Sequence, residues 1–297
     1  MDKERKTIYL CLAHMSEDSM EQKYVKEAFD TNWVVPLGPN VNGFEDDLKA
    51  FVSKNSDGTD LQKEVVALSA GTAAVHLALL ACGVGPGDEV CVQSFTFCAS
   101  SHPITYLGAT PVFIDSEPNT WNMDPELLEK AIIDRKEKTG KYPKAIVPVA
   151  LYGMPYDCDR IMAIADKYGI PVVEDAAEGF GSRYKGQVLG TFGKFGVLSF
   201  NGNKMITTSG GGALICNDAE SKNQVMWYAT QARDSYPYYQ HTAIGYNYRM
   251  SNVCAGIGRG QMTVLEDHIA HHKHVQQLYK ELLKDVEGIT LHEAPNA

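Results

Sequence analysis

Short, continuously apolar runs alternate along the chain with segments whose apolar positions recur every three or four residues. SEDSMEQKYVKEAFDTN (16–32) has the second pattern and predicts an opening amphipathic helix. EVVALSAG (64–71) predicts a strand and a turn, and TAAVHLALLACG (72–83) a helix of small and apolar residues stopped by Gly83. EVCVQSFTF (89–97) and TPVFID (110–115) read as strands. MDPELLEKAI opens a helix with Asp124 as cap and Pro125 in its first turn. KAIVPVALYG (144–153), PVVEDAAEG (171–179), KFGVLSF and GGALICN read as further strands, with a helix at DRIMAIADKYG between the first two. The charged stretch DRKEKTGKYPK (134–144) reads as a solvated loop. Runs such as AIVPVAL are apolar on both faces, which suits a mostly parallel sheet covered by helices on each side. The expectation is an α/β protein whose ligands sit at the carboxyl ends of the strands.

Composition narrows the function. The 297 residues carry 27 Lys and Arg against 37 Asp and Glu, a net charge of −10, which disfavours nucleic acid and anionic membranes as partners. The seven cysteines (Cys11, Cys82, Cys91, Cys98, Cys158, Cys216 and Cys254) form no C-x-x-C pair. They read as reduced, buried thiols of a cytoplasmic protein, with no metal site. MDKERKTIYLCLAHMSEDS lacks the apolar core of a signal peptide, and no run reaches the roughly 20 apolar residues of a membrane span.

The chemistry gathers at the expected strand ends. Gly71 and Thr72 sit at a strand-to-helix turn, where free N–H groups, the helix dipole and a hydroxyl suit a phosphate. A tight turn with a helix cap is the competing reading. Asp175 closes an apolar strand and could pair with a cationic ring nitrogen, or else cap a helix or bind an arginine. Phe97 could stack on a flat cofactor or belong to the core. Lys204 lies in SFNGNKMITTSGGGALI (199–215), between two strand-like runs and ahead of Gly210, Gly211 and Gly212. A lysine that loses hydration there loses its proton more readily, and a neutral amine can form a Schiff base with an aldehyde. The glycines allow a close approach that side chains would block. Phosphate turn, ring, acid and lysine, in that order, together describe a pocket for pyridoxal 5′-phosphate.

Many segments resemble the DegT/DnrJ/EryC1/StrS family of sugar aminotransferases in register. They are NWVVPLGPNVNGFE, SAGTAAVHLALLACGVGPGDEV, SFTFCASSHPITYLGATPVFID, PVALYGMP, VVEDAAEGFGSRYKG, the lysine segment and IGYNYRMSN. The resemblance runs from about Leu10 to the end of the chain. SFNGNKMITTSGGGALI and TQAR (230–233) resemble most closely the aminotransferases of the UDP-N-acetylbacillosamine pathway. The resemblance implies a fold-type I pyridoxal-phosphate transferase. Its cofactor-binding domain would occupy 1–255, with the beginning of a smaller C-terminal domain over 256–297. It implies that Lys204 is the Schiff-base lysine and proton carrier and that Asp175 partners the pyridine nitrogen. It further implies that Phe97 stacks on the cofactor and Glu178 lies near the cofactor's 3-hydroxyl, while Gly71, Thr72 and Ser199 contact phosphate and substrate. Asn247 would reach the phosphate bound in the neighbouring subunit of a homodimer. Asn32, Trp33, Val34 and Val35 would touch the sugar nucleotide. The implied reaction moves an amino group from L-glutamate to a nucleotide-linked 4-keto-6-deoxy sugar. Ala70 departs from the family, which commonly has serine there.

Three other readings compete with this one. Related sugar dehydratases replace the lysine with histidine, which Lys204 opposes. A non-catalytic scaffold on the same fold would not need Lys204, Asp175 and Phe97 together. A nicotinamide site fails because GTFGKFG (190–196) is not G-x-G-x-x-G and no strand-to-helix crossing follows it.

Overall fold

The computed structural model describes residues 13–294 together with Thr7 and Tyr9. Cys11, expected to be a buried thiol, lies outside the described residues. The strands are β1 (Glu64–Leu68), β2 (Glu89–Gln93), β3 (Thr110–Ile114), β4 (Ala145–Val147), β5 (Val173–Asp175), β6 (Arg183–Tyr184), β7 (Gln187–Val188), β8 (Phe195–Ser199) and β9 (Gly212–Cys216). The helices are α1 (Met20–Asp30), α2 (Pro39–Val52), α3 (Gly71–Ala81), α4 (His102–Tyr106), α5 (Pro125–Thr139), α6 (Cys158–Tyr168), α7 (Ala219–Ala229), α8 (Asn252–Met262) and α9 (Leu265–Leu283).

Bridges Ile146↔Val172 and Val149↔Asp175 join two ladders into one sheet of order β1-β9-β8-β5-β4-β2-β3. Every neighbouring pair is parallel except those made by β9, which is antiparallel to both β1 and β8. The sheet is therefore mostly parallel, as its two-sided apolar runs require. Val66, Leu68, Val90, Val92, Val147 and Val197 enter one core, while Val65, Ala67, Cys91, Ile146 and Leu198 enter the other. Successive residues point to opposite faces, so a run without polar alternation can fill both cores.

Turn and cap chemistry fixes the ends of the elements. Asp124 accepts from Glu126 N at 2.7 Å and Leu127 N at 3.3 Å, starting α5 as its sequence predicts. The expected loop at 134–144 is helical as far as Thr139, because α5 runs on until Gly140 takes a left-handed φ of 75°. Its charges are solvated helix surface, with Lys138 bonded to Asp134 one turn away. Gly83 (φ 73°) follows α3 as expected. The strands at 89–97, 144–153 and 171–179 are shorter than their apolar runs. At the end of β2, Gln93 bonds the loops at Phe95, Asn122, Met123 and Val149. After β4, Pro148 has no N–H for the ladder. These early endings turn chain outward at the strand termini, where the candidate residues lie.

Of the thiols expected to be buried, Cys91, Cys158 and Cys216 are buried, Cys82 and Cys254 are half-buried, and Cys98 is exposed. Cys98 lies in the turn after Phe97 rather than in a strand. No described helix is long and apolar enough to cross a membrane. α8 crosses the expected domain limit at 255 and packs against α1 and α2.

Candidate active site

The carboxyl ends of β1, β2, β4, β5 and β8 surround a cavity of about 360 Å³, and the amino end of antiparallel β9 completes its rim. Its lining includes Gly71, Thr72, Phe97, Asp175, Glu178, Ser199 and Lys204. The sequence points to each of these residues.

Asp175 and Glu174 are neighbours on β5 with opposite duties. Glu174 is buried and accepts from the backbone N–H groups of Gly190, Phe192 and Gly193, tying down the loop before β8. Asp175 faces the cavity while only 6% exposed. Its Oδ2 accepts from Ser100 Oγ at 2.6 Å and its Oδ1 from Ala177 N at 3.1 Å. Burial pushes its carboxyl above the ordinary aspartate range; the hydroxyl, the amide and the charge of Lys204 pull the other way. A buried carboxylate with a free side toward a cavity is suited to a cationic partner.

Lys204 sits in the loop between β8 and β9. Its N–H donates to Asn201 O, and the loop closes through Thr208 N to Phe200 O at 3.0 Å. The side chain is 16% exposed, and Nζ stands 3.3 Å from Glu178 Oε1. Glu178 Oε2 accepts from Tyr152 N at 2.7 Å. Tyr152 has a φ of 54°, strained for a bulky residue, and that geometry delivers its N–H to the carboxylate.

The glycines act unequally. A Cβ on Gly212 would lie 2.5 Å from Ala70 C and from Gly71 N, so β9 presses directly on the start of α3. A Cβ on Gly71 would lie 3.0 Å from the Ser199 Cβ, whereas Gly210 faces open space. No side chain caps α3. Its N-terminus therefore presents backbone donors and positive potential to the cavity, beside the Thr72 hydroxyl. Phe97 is 73% exposed at the rim, so it is not a core residue.

Asn32, Trp33, Val34, Val35 and Asn247 do not line this cavity. The 33–35 loop is pinned from behind: Asn252 Nδ2 donates to Trp33 O and Asn252 N to Val35 O, each at 2.9 Å, leaving three apolar side chains exposed. Asn247 is exposed between Tyr246 and Tyr248, whose rings stack at 5.1 Å. Ser100 escapes a reading of the sequence. It lies in SFTFCASS with nothing local to mark it, and only the fold brings it to Asp175. Tyr152 escapes for the same reason.

These residues fit pyridoxal phosphate. There is a helix start for the phosphate, an exposed ring for stacking, a buried carboxylate for the ring nitrogen and an amine for the aldehyde. Fold and site thus define the class, a pyridoxal-phosphate-dependent enzyme with its cofactor at the strand ends of an α/β sheet. EpsN of Bacillus subtilis (strain 168), named as a candidate pyridoxal phosphate-dependent aminotransferase, is 48% identical over 96% of this chain and 70% of its own length. GDP-perosamine synthase of Escherichia coli O157:H7 is 38% identical over 92% of this chain and 71% of its own. UDP-2-acetamido-2-deoxy-3-oxo-D-glucuronate aminotransferase of Pseudomonas aeruginosa is 39% identical over 84% and 65%. A crystal structure of a DegT DnrJ EryC1 StrS aminotransferase from Brucella abortus superposes with a TM-score of 0.85 at 31% identity, over 94% of this chain and 72% of that one. Residues 15–297 match the DegT/DnrJ/EryC1/StrS aminotransferase family, and the chain belongs to it. It is a pyridoxal-phosphate-dependent aminotransferase.

Proposed function

We propose that this aminotransferase carries an amino group from L-glutamate to a nucleotide-linked 4-keto-6-deoxy sugar, best read as UDP-2-acetamido-2,6-dideoxy-4-keto-hexose. The observation that carries the reading is the convergence of Lys204, Glu178 and Asp175 on one cavity beside the α3 N-terminus. Pyridoxal phosphate, when bound, supplies an aldehyde to carry the amino group and a ring to take up electrons. Gly71, Thr72 and Ser199 would hold its phosphate, Phe97 its ring face and Asp175 its ring-nitrogen proton. Lys204 Nζ takes the proton from the donor's α-carbon and returns one to the acceptor's carbon in the second half of the cycle. Glu178 orients that amine from 3.3 Å.

The relatives' names support a nucleotide-sugar acceptor and cover both GDP- and UDP-linked sugars. The narrower reading is supported by the lysine segment and TQAR. The exposed residues Trp33, Val34, Val35 and Asn247 suit contacts with a neighbouring subunit's site in a homodimer with shared active sites. The test is incubation with glutamate and a panel of nucleotide keto sugars, with products read by mass and NMR. Amination of the UDP-linked 4-keto-6-deoxy-N-acetyl sugar in preference to the others is the expected result. Turnover of a 3-keto or GDP-linked sugar alone would replace the narrower reading, and absence of turnover with every sugar would end both.

A further inference from the structure

A second cavity, of about 780 Å³, adjoins the first and shares Glu178, Asn203 and Lys204 with it. Its far wall carries four imidazoles: His268, His271 and His272 from α9, and His14 from the segment before α1. The chain carries a net charge of −10, yet among the described residues this lining holds a single carboxylate, Glu178, already facing Lys204 at 3.3 Å. Glu266, Asp267 and Lys273 lie on α9 outside the lining, and Glu21 is engaged by Ser16 and Gln261.

The wall is tied to the catalytic loop. His268 Nδ1 lies 3.3 Å from the carbonyl of Met205, the residue after Lys204. A carbonyl can only accept, so Nδ1 carries the proton and Nε2 is left for another partner. Gln261 Nε2 donates to His14 O at 2.8 Å, holding the fourth imidazole's segment in place. Among the described residues no group of three or more His, Cys, Asp or Glu converges closely enough to hold a metal ion. Imidazoles gathered loosely around a space whose one carboxylate among the described residues already faces Lys204 suit an anion instead.

We propose that this chamber receives the anionic part of a substrate whose reacting carbon sits at Lys204, either the diphosphate of the nucleotide sugar or the distal carboxylate of the amino donor. The proposal builds on the aminotransferase reading above. His272 is exposed on the wall, yet partial desolvation and the neighbouring imidazoles hold it below the ordinary histidine range, which favours its neutral form. An entering oxyanion reverses that balance, because it favours the charged imidazolium. Binding therefore takes up protons.

The test is titration calorimetry of the pyridoxal-phosphate-loaded protein, so that the phosphate seat beside α3 is already filled. Inorganic pyrophosphate and glutarate are the two probes, each run in buffers of different ionisation enthalpy. The expected result is binding of at least one probe with net proton uptake, weakening about ten-fold between about pH 6 and about pH 8. His271→Gln/His272→Gln should weaken the same probe about five-fold or more, with little pH dependence left. A pyrophosphate response assigns the chamber to the nucleotide, and a glutarate response to the donor. Binding of neither probe overturns the proposal, as does binding without proton uptake or binding unchanged in the double variant. Histidine NMR titration of the wild-type protein with each probe decides the same question without a variant: shifts of the chamber's imidazoles toward the protonated form support the proposal, and unmoved resonances overturn it. Because neither measurement needs turnover, failure of the sugar panel and failure of this proposal are told apart.

Discussion

In the proposed mechanism, Lys204 and Asp175 carry the chemistry through different physics. Lys204 acts by its nitrogen lone pair, so Lys204→Ala removes both the covalent anchor and the proton carrier. Protein incubated with pyridoxal phosphate should turn yellow, and borohydride should bleach the colour and fix the label to Lys204. The alanine variant should lose at least about 10³-fold in turnover. A colourless wild-type protein, or a label on another lysine, contradicts the assignment. Asp175 acts by charge, and burial raises its carboxyl's pKa. A raised acid costs the fold stability where the unfolded carboxyl is ionised, and that cost grows as pH rises from the unfolded value toward the folded one. Asp175→Asn removes it: its amide can accept from Ala177 N and donate to Ser100 Oγ, whose own proton can turn to Thr96 Oγ1 at 2.7 Å. Without cofactor, the variant should match the wild type's Tm near about pH 3 and exceed it progressively at higher pH. Its turnover should fall about 10²-fold or more, because an amide cannot hold a proton on the ring nitrogen. Equal turnover in the variant would remove Asp175 from the mechanism.

At the scale of elements, the seat of the site is the contact between β9 and the start of α3. Gly212→Ala drives a Cβ into backbone atoms at 2.5 Å, and neither side can yield by rotating a side chain. The expected cost is about 1–3 kcal/mol of stability, with cofactor affinity weakened about ten-fold as the helix start moves. Gly210→Ala, one loop position away from any contact, should stay within about 0.5 kcal/mol of wild type. Denaturant unfolding and cofactor titration of the pair check this. Equal effects of the two substitutions would mean that the glycines serve only loop flexibility. Element identity was legible because apolar runs, caps and glycine stops act locally, as at Asp124 and Gly83. The endpoints of β2 and β4 were not, since Gln93 ends its strand by bonding distant loops. Nor was the continuation of α5, whose charged last turns are as compatible with solvated helix as with loop.

On the scale of the whole molecule, Asn247 and the 32–35 loop lie off the cavity of their own chain, and the proposed homodimer would bring Asn247 to the partner's site. Lys204→Ala mixed with Asn247→Asp should regain activity, because one of the two shared sites in each mixed dimer would carry neither defect. About a quarter of wild-type activity is expected if chains pair at random and half the dimers are mixed. No gain over the sum of the parents would place Asn247 in its own chain's site.

The sequence by itself determined the kind of fold and named the chemical groups of the candidate site. Two-sided apolar runs demand a sheet covered on both faces, and the order of turn, ring, acid and lysine names the groups that one cofactor needs. Tertiary structure decided which of those groups meet. It set β9 against the grain of the sheet, and so brought the glycines to the same edge as the parallel strands' carboxyl ends. It also supplied Ser100 to Asp175 and the Tyr152 amide to Glu178, and gathered His14 with three imidazoles more than 250 positions away. Hydrogen bonds and cavities depend on atoms within a few ångströms in space, whatever their separation along the chain. Apolar period and capping chemistry act over three or four neighbours, so the sequence displays them directly.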